Sequence, residues 1–185
     1  MVFPIIKQIF RSPKNGWQAL PDAIQNRKIV GFNILIAAAI IAGSLSFIGV
    51  YTNTEGDFSL AIRYFGYISL KWVISIWMAS WAINKLVNGL KGQTSFWIML
   101  TVLAICSSFL MVFVSISHIA PLAKVPMYIL SLIGLVYYYF ALEKLLNLKE
   151  EKIPGFLLIS LLVIAIILFF IELLLAFFLS IPINS

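Results

Sequence analysis

The sequence predicts an all-α fold, a polytopic transmembrane bundle of five helices preceded by a short N-terminal amphipathic helical segment. Three observations predict it. Of 185 residues, 62% are hydrophobic and only 11% charged, whereas soluble domains carry about 25% charge. The apolar residues are gathered into blocks longer than a soluble core helix needs, with most charges confined to the gaps. The basic residues also divide unequally between alternate gaps, as membrane topology requires.

The five blocks are residues 30–50, 64–84, 96–117, 126–146 and 154–180. At about 1.5 Å per residue, each is long enough for a hydrocarbon core of about 30 Å. The last is the longest and is expected to tilt or to project beyond the core. The chain thus divides into a cytoplasmic amphipathic interfacial segment, 1–29, and a transmembrane domain, 30–185.

In the first segment Phe3, Ile6 and Phe10, flanked by Ile5 and Ile9, recur at helical spacing while Lys7 and Arg11 take the opposing face. That is the pattern of an interfacial helix. Ser12 and Pro13 then offer an N-cap and a first helical residue, and Trp17, Leu20 and Ile24 make a second stripe that Pro21 threatens to interrupt. One reading packs these helices under the bundle. The other makes Lys7, Arg11 and Trp17 an interfacial surface for a partner. The first apolar block begins too far along for the short leading region of a cleaved signal peptide, so the segment is expected to stay in the mature protein.

Orientation follows from the charges. Lys7, Arg11, Lys14, Arg27, Lys28, Lys85, Lys91, Lys144, Lys149 and Lys152 fall on one side of the five spans, while Arg63 and Lys124 alone fall on the other. Cytoplasmic loops retain Lys and Arg. The N-terminus is therefore expected in the cytoplasm and the C-terminus outside, external or periplasmic, in a cell (inner) membrane protein. The net charge of +6 is explained by these flanks rather than by nucleic acid, so the partners expected are the lipid bilayer and a membrane protein or homo-oligomer.

A motif appears twice. Trp81-Ala82-Ile83-Asn84-Lys85-Leu86-Val87-Asn88 closes the second span, and Phe140-Ala141-Leu142-Glu143-Lys144-Leu145-Leu146-Asn147 closes the fourth. Both join an inward to an outward span, which would suit a parallel repeat of two hairpins; convergence at cytoplasmic helix ends is the alternative.

Phe10-Arg11-Ser12-Pro13 followed by Trp17, the five spans, and Gly92 to Phe96 opening the third together resemble the Yip domain family in a compact bacterial-type form. The family is named for Ypt/Rab-interacting membrane proteins. The resemblance covers nearly the whole chain and implies a five-helix membrane domain with a cytoplasmic N-terminus, a fold more readily than a job. Its eukaryotic members are linked to vesicle traffic and Rab GTPases, but their Asp-Leu-Tyr-Gly-Pro segment and long N-terminal domain are missing here.

No catalytic set assembles. The single histidine, His118, has no second histidine for a metal site, and the single cysteine, Cys106, lies inside an apolar block. No metal, cofactor or catalytic residue is expected. His118 reads as packed or interfacial, with a pH sensor as the alternative. Small and polar residues recur along three spans: Ala38, Ala42 and Ser46 in the first, Thr101, Ala104, Ser108, Met111, Ser115 and His118 in the third, and Ser131, Gly134, Tyr138 and Ala141 in the fourth. Such seams suit close helix packing.

Lys71 and Glu172 stand apart, because each is ionisable and well inside an apolar span. The second span running inward and the fifth outward place both at similar depth in the outer half of the membrane, so they are expected to form an ion pair or share a small hydrated pocket. Tyr67 and Ser75, one turn either side of Lys71, are expected to complete its hydrogen bonding. The leading expectation is a noncatalytic protein that organises membrane or recruits partners. The alternative is a small transporter or ion-conducting subunit using Lys71 and Glu172.

Overall fold

The computed structural model describes residues 3–25, 29–90, 92, 94–146 and 150–179, and among them every regular element is helical. Helices α1 (Phe3–Arg11), α2 (Pro13–Gly16) and α3 (Leu20–Gln25), with a 3₁₀ turn at Trp17–Ala19, precede the long helices. These are α4 (Val30–Asn53), α5 (Phe58–Gly89), α6 (Phe96–Ile119), the pair α7 (Lys124–Ser131) and α8 (Ile133–Leu145), and α9 (Ile153–Leu179). The expected end of the last span, Ser180, and the loop residues Arg27, Lys28, Lys91, Asn147 and Lys149 lie outside the described residues.

Four of these, α4, α6, the α7–α8 pair and α9, are long and apolar enough to cross a membrane. At 32 residues α5 is the longest helix, but Arg63, Lys71 and Lys85 and its tyrosines, tryptophans and serines dilute its apolar character. It starts at Phe58, ahead of the expected Tyr64, where the Asp57 carboxylate caps it by accepting from Leu60 N at 2.9 Å. Likewise Ser95 caps α6, accepting from Ile98 N at 3.3 Å. Between α4 and α5 the chain reverses through Glu55 and Gly56, at φ 54° and 91°; glycine takes that left-handed backbone without a steric penalty.

The fourth span differs from the expected single block. It begins at Lys124, so Pro126 falls in the first turn, where a missing N–H costs nothing, and it divides at Leu132. Just past the division, Gly134 brings α8 against α6: a β-carbon there would collide with the Cys106 carbonyl oxygen.

Helix α4 is the hub, packed on α5 and α6. Its buried row Gly31, Ala38, Ala42, Ser46 and Gly49 lets the backbones approach, and the Ser69 hydroxyl of α5 donates to the Ala39 carbonyl at 3.2 Å. Helix α9 leans chiefly on α5 and only slightly on α8. The α5–α6 and α8–α9 hairpins therefore pack differently, one with an unbroken first helix and the other behind a divided span, so the repeated motif is not matched by repeated packing.

The N-terminal segment is wedged into the bundle. Ile9, Trp17 and Leu20 are fully buried and Ile24 nearly so, with α2 and the Trp17 turn against α8 and α3 against α6. The Phe10 ring meets those of Phe109 and Tyr137, each at 5.7 Å, and the Tyr137 hydroxyl donates to the Phe10 carbonyl at 3.1 Å. Pro21 is accommodated because the 3₁₀ turn ends and α3 restarts at Leu20, leaving proline in a first turn.

Candidate functional site

Helices α5 and α9 bring together the two charges that the sequence expects inside the membrane. Lys71 Nζ lies 2.9 Å from Glu172 Oε2. The Tyr67 hydroxyl donates to Glu172 Oε1 at 3.3 Å, and the Lys71 ammonium sits 5.8 Å from the centre of the Tyr67 ring, within cation–π range. Lys71 and Tyr67 share a face of α5 one turn apart. A second aromatic, Tyr64, meets Tyr67 edge-on at 6.2 Å.

Ser75 does not join this cluster. It is 1% exposed, and its hydroxyl has no partner among the described residues. The expectation that it would support Lys71 is corrected by side-chain direction: helical side chains lean toward the helix N-terminus. Lys71 therefore reaches back over Tyr67, away from Ser75.

The side chains of Lys71 and Glu172 are 16% and 37% exposed, and both face a cavity of about 520 Å³ between the end of α4, the first half of α5, the end of α6, α7 and α9. Water in such a space screens the pair, which lowers both its attraction and the cost of burying it. The same cavity takes in His118, Lys124 and Asn53. Asn53 Nδ2 donates to the carbonyls of His118 and Gly49, each at 2.8 Å, tying the end of α4 to that of α6. The approach is close enough that a β-carbon on Gly49 would stand 2.6 Å from the His118 carbonyl carbon.

Asn53, Tyr64 and Lys124 belong to the cavity wall and are absent from the site expected on sequence. Hydropathy assigns Asn53 and Lys124 to the gaps between spans, and the cavity forms where helix ends converge. Tyr64 carries a weak signal, two helical turns before Lys71 and so on the same face.

At the other end the expected interfacial trio is split. Lys7 and Arg11 are exposed on α1, whereas Trp17 has no exposed surface. Trp17 anchors the wedge, so it is corrected from an interfacial residue to a core residue. Cys106 is free and buried. Among the described residues, no group of three or more His, Cys, Asp or Glu side chains is placed to hold a metal ion.

The cavity gathers a compensated charge pair, an additional cation and hydroxyl groups at one end of the helix bundle. A family model described as the Yip1 domain matches residues 7–173, which takes in both partners of the ion pair. No curated protein and no solved structure matches the chain.

Proposed function

Because the chain belongs to the Yip1 domain family, we propose that it is a noncatalytic, five-span protein of the cell inner membrane that organises lipid or recruits membrane partners. In this reading α5 supplies the remaining span. Its ionisable centre is tolerated because Lys71 faces Glu172 and the cavity rather than hydrocarbon. The N-terminus is cytoplasmic and the C-terminus external, as the asymmetry of basic residues favours.

The observation that favours a non-conducting role is the floor of the cavity. Its lining stops near Lys71 and Trp72, and deeper in the bundle Ala79, Ile83, Val87, Met99 and Leu100 are buried in the apolar core. An apolar floor of this kind opposes a polar path. Purified protein in liposomes should carry no proton or monovalent-ion flux above empty vesicles, and affinity capture after cross-linking in membranes should recover a defined partner. A flux abolished by Glu172→Gln would reverse the assignment in favour of a transporter or ion-conducting subunit.

Topology has its own test. With Cys106 replaced, Glu55→Cys in the α4–α5 turn should react with an impermeant thiol reagent in intact cells, and Asn88→Cys near the end of α5 should not. The opposite pattern would invert the protein, and equal labelling of both would remove α5 as a span.

A further inference from the structure

The polar cavity is not alone in its cleft. A second cavity, of about 230 Å³, lies between α5, α6, α7–α8 and α9, and Trp72 lines both. On each of the helices the lining changes from polar to apolar along the same direction. It passes from Lys71 to Ile76 on α5, from His118 to Leu103 on α6, from Lys124 to Leu135 across α7 and α8, and from Glu172 to Leu161 on α9.

We infer that this cleft seats one anionic phospholipid, with the phosphate at the polar mouth and an acyl chain in the apolar cavity. Charge complementarity commits the site to an anion. Lys71 is compensated by Glu172, whereas Lys124, also in the wall, has no carboxylate partner among the described ion pairs. The Asp57 carboxylate, at the start of α5, is engaged in capping that helix. The order of the two cavities matches a lipid standing in the outer leaflet, headgroup at the helix ends and chain toward the membrane centre. A chain leaving bilayer for cleft gains no hydrophobic transfer energy, because both surroundings are apolar. It fills a void that would otherwise forfeit dispersion contacts, and selectivity rests on the headgroup.

The inference rests on the five-span reading, which the thiol labelling tests by itself. The full chain in nanodiscs of equal phosphatidylcholine and phosphatidylglycerol is released for native mass spectrometry and its retained lipid identified. One retained phosphatidylglycerol is expected. Lys124→Gln should lower that retention about fivefold, the weight of one lysine near an anionic lipid surface, and Leu161→Trp, which fills the apolar cavity, should abolish it with Lys124 intact. Thermal melting of each variant in the same nanodiscs separates loss of lipid from loss of fold. Equal retention of the two lipids, retention indifferent to both substitutions, or no retained lipid in a correctly labelled protein would overturn the site while leaving the topology standing. Displacement by excess glycerol 3-phosphate would show a soluble phosphate in the polar cavity and would also overturn it.

Discussion

The two halves of the bundle share α4, α5 and α6 and solve opposite problems. In the half nearest the N-terminal segment, Trp17, Leu20, Ile83, Val87 and Leu100 have no exposed surface, and the wedge of α1–α3 completes the packing. In the other half the ends of α4 and α6 meet, but a polar cavity remains between them and α5, α7 and α9, and Lys71 and Glu172 retain contact with it. An ionisable residue is thus accommodated in the bundle where a partner and a cavity with polar lining coincide. Perturbations of the packed half should therefore cost more than perturbations of the open half.

The largest effect is expected at Trp17. Truncation to alanine removes a fully buried indole and should destabilise the protein by about 3–5 kcal/mol, read as a lower melting temperature in detergent. Trp81, 57% exposed, is the control, and Trp81→Ala should change little. Equal effects of the two would show that the wedge is not part of the core.

Next comes the pair in the open half. Glu172→Gln leaves Lys71 without its counter-charge; a lone charge at a bilayer centre costs about 2.5–3.5 kcal/mol, but with Glu172 37% exposed solvent screening brings the expected loss to about 1 kcal/mol. Lys71→Met in the Glu172→Gln background should then cost less than in the wild type. Exchange of the two charges should restore part of the stability. Additive single effects in the double-mutant cycle would sink the coupling.

Asn53→Ala should cost somewhat less, about 0.6 kcal/mol for an interhelical hydrogen bond in a membrane protein, because it frees the His118 carbonyl at a solvated helix end. Its melting temperature should fall less than that of Glu172→Gln. A larger fall would mean that the α4–α6 tie, not the ion pair, holds the open half together.

Much of this arrangement was legible in the sequence. The similar heights of Lys71 on α5 and Glu172 on α9 follow from the sequence, because a helix fixes height at about 1.5 Å per residue, and the packing of α9 on α5 supplies the contact. The small residues Ala38, Ala42 and Ser46 likewise mark a face that proves buried. What covers a face is less legible. Ile9 and Trp17 show the same apolar periodicity whether they meet lipid or α8, and only tertiary packing distinguishes the two. The division at Leu132 escapes for a related reason: Gly134 matters through its approach to Cys106, a contact between distant parts of the chain.

The smallest effects are expected at the neighbours of Lys71, where a packed residue and a cavity residue lie one turn either side of it and so locate the border between the two halves. Tyr67→Phe keeps the ring under the ammonium and removes the hydroxyl that donates to Glu172 at 3.3 Å. A bond of that length is weak, and the solvated carboxylate can accept from water instead, so a loss of about 0.5 kcal/mol is expected. Ser75→Ala removes a buried hydroxyl that has no partner among the described residues. Deleting an unsatisfied polar group relieves its desolvation cost, so stability should stay level or rise slightly. Both variants are compared by melting temperature, alone and combined with Glu172→Gln. Tyr67→Phe should lose its effect once the carboxylate is gone, whereas Ser75→Ala should be indifferent to it. If Ser75→Ala weakened the protein and did so only while Glu172 was present, Ser75 would belong to the charge cluster, and the boundary between the packed and open halves would lie a full helical turn deeper.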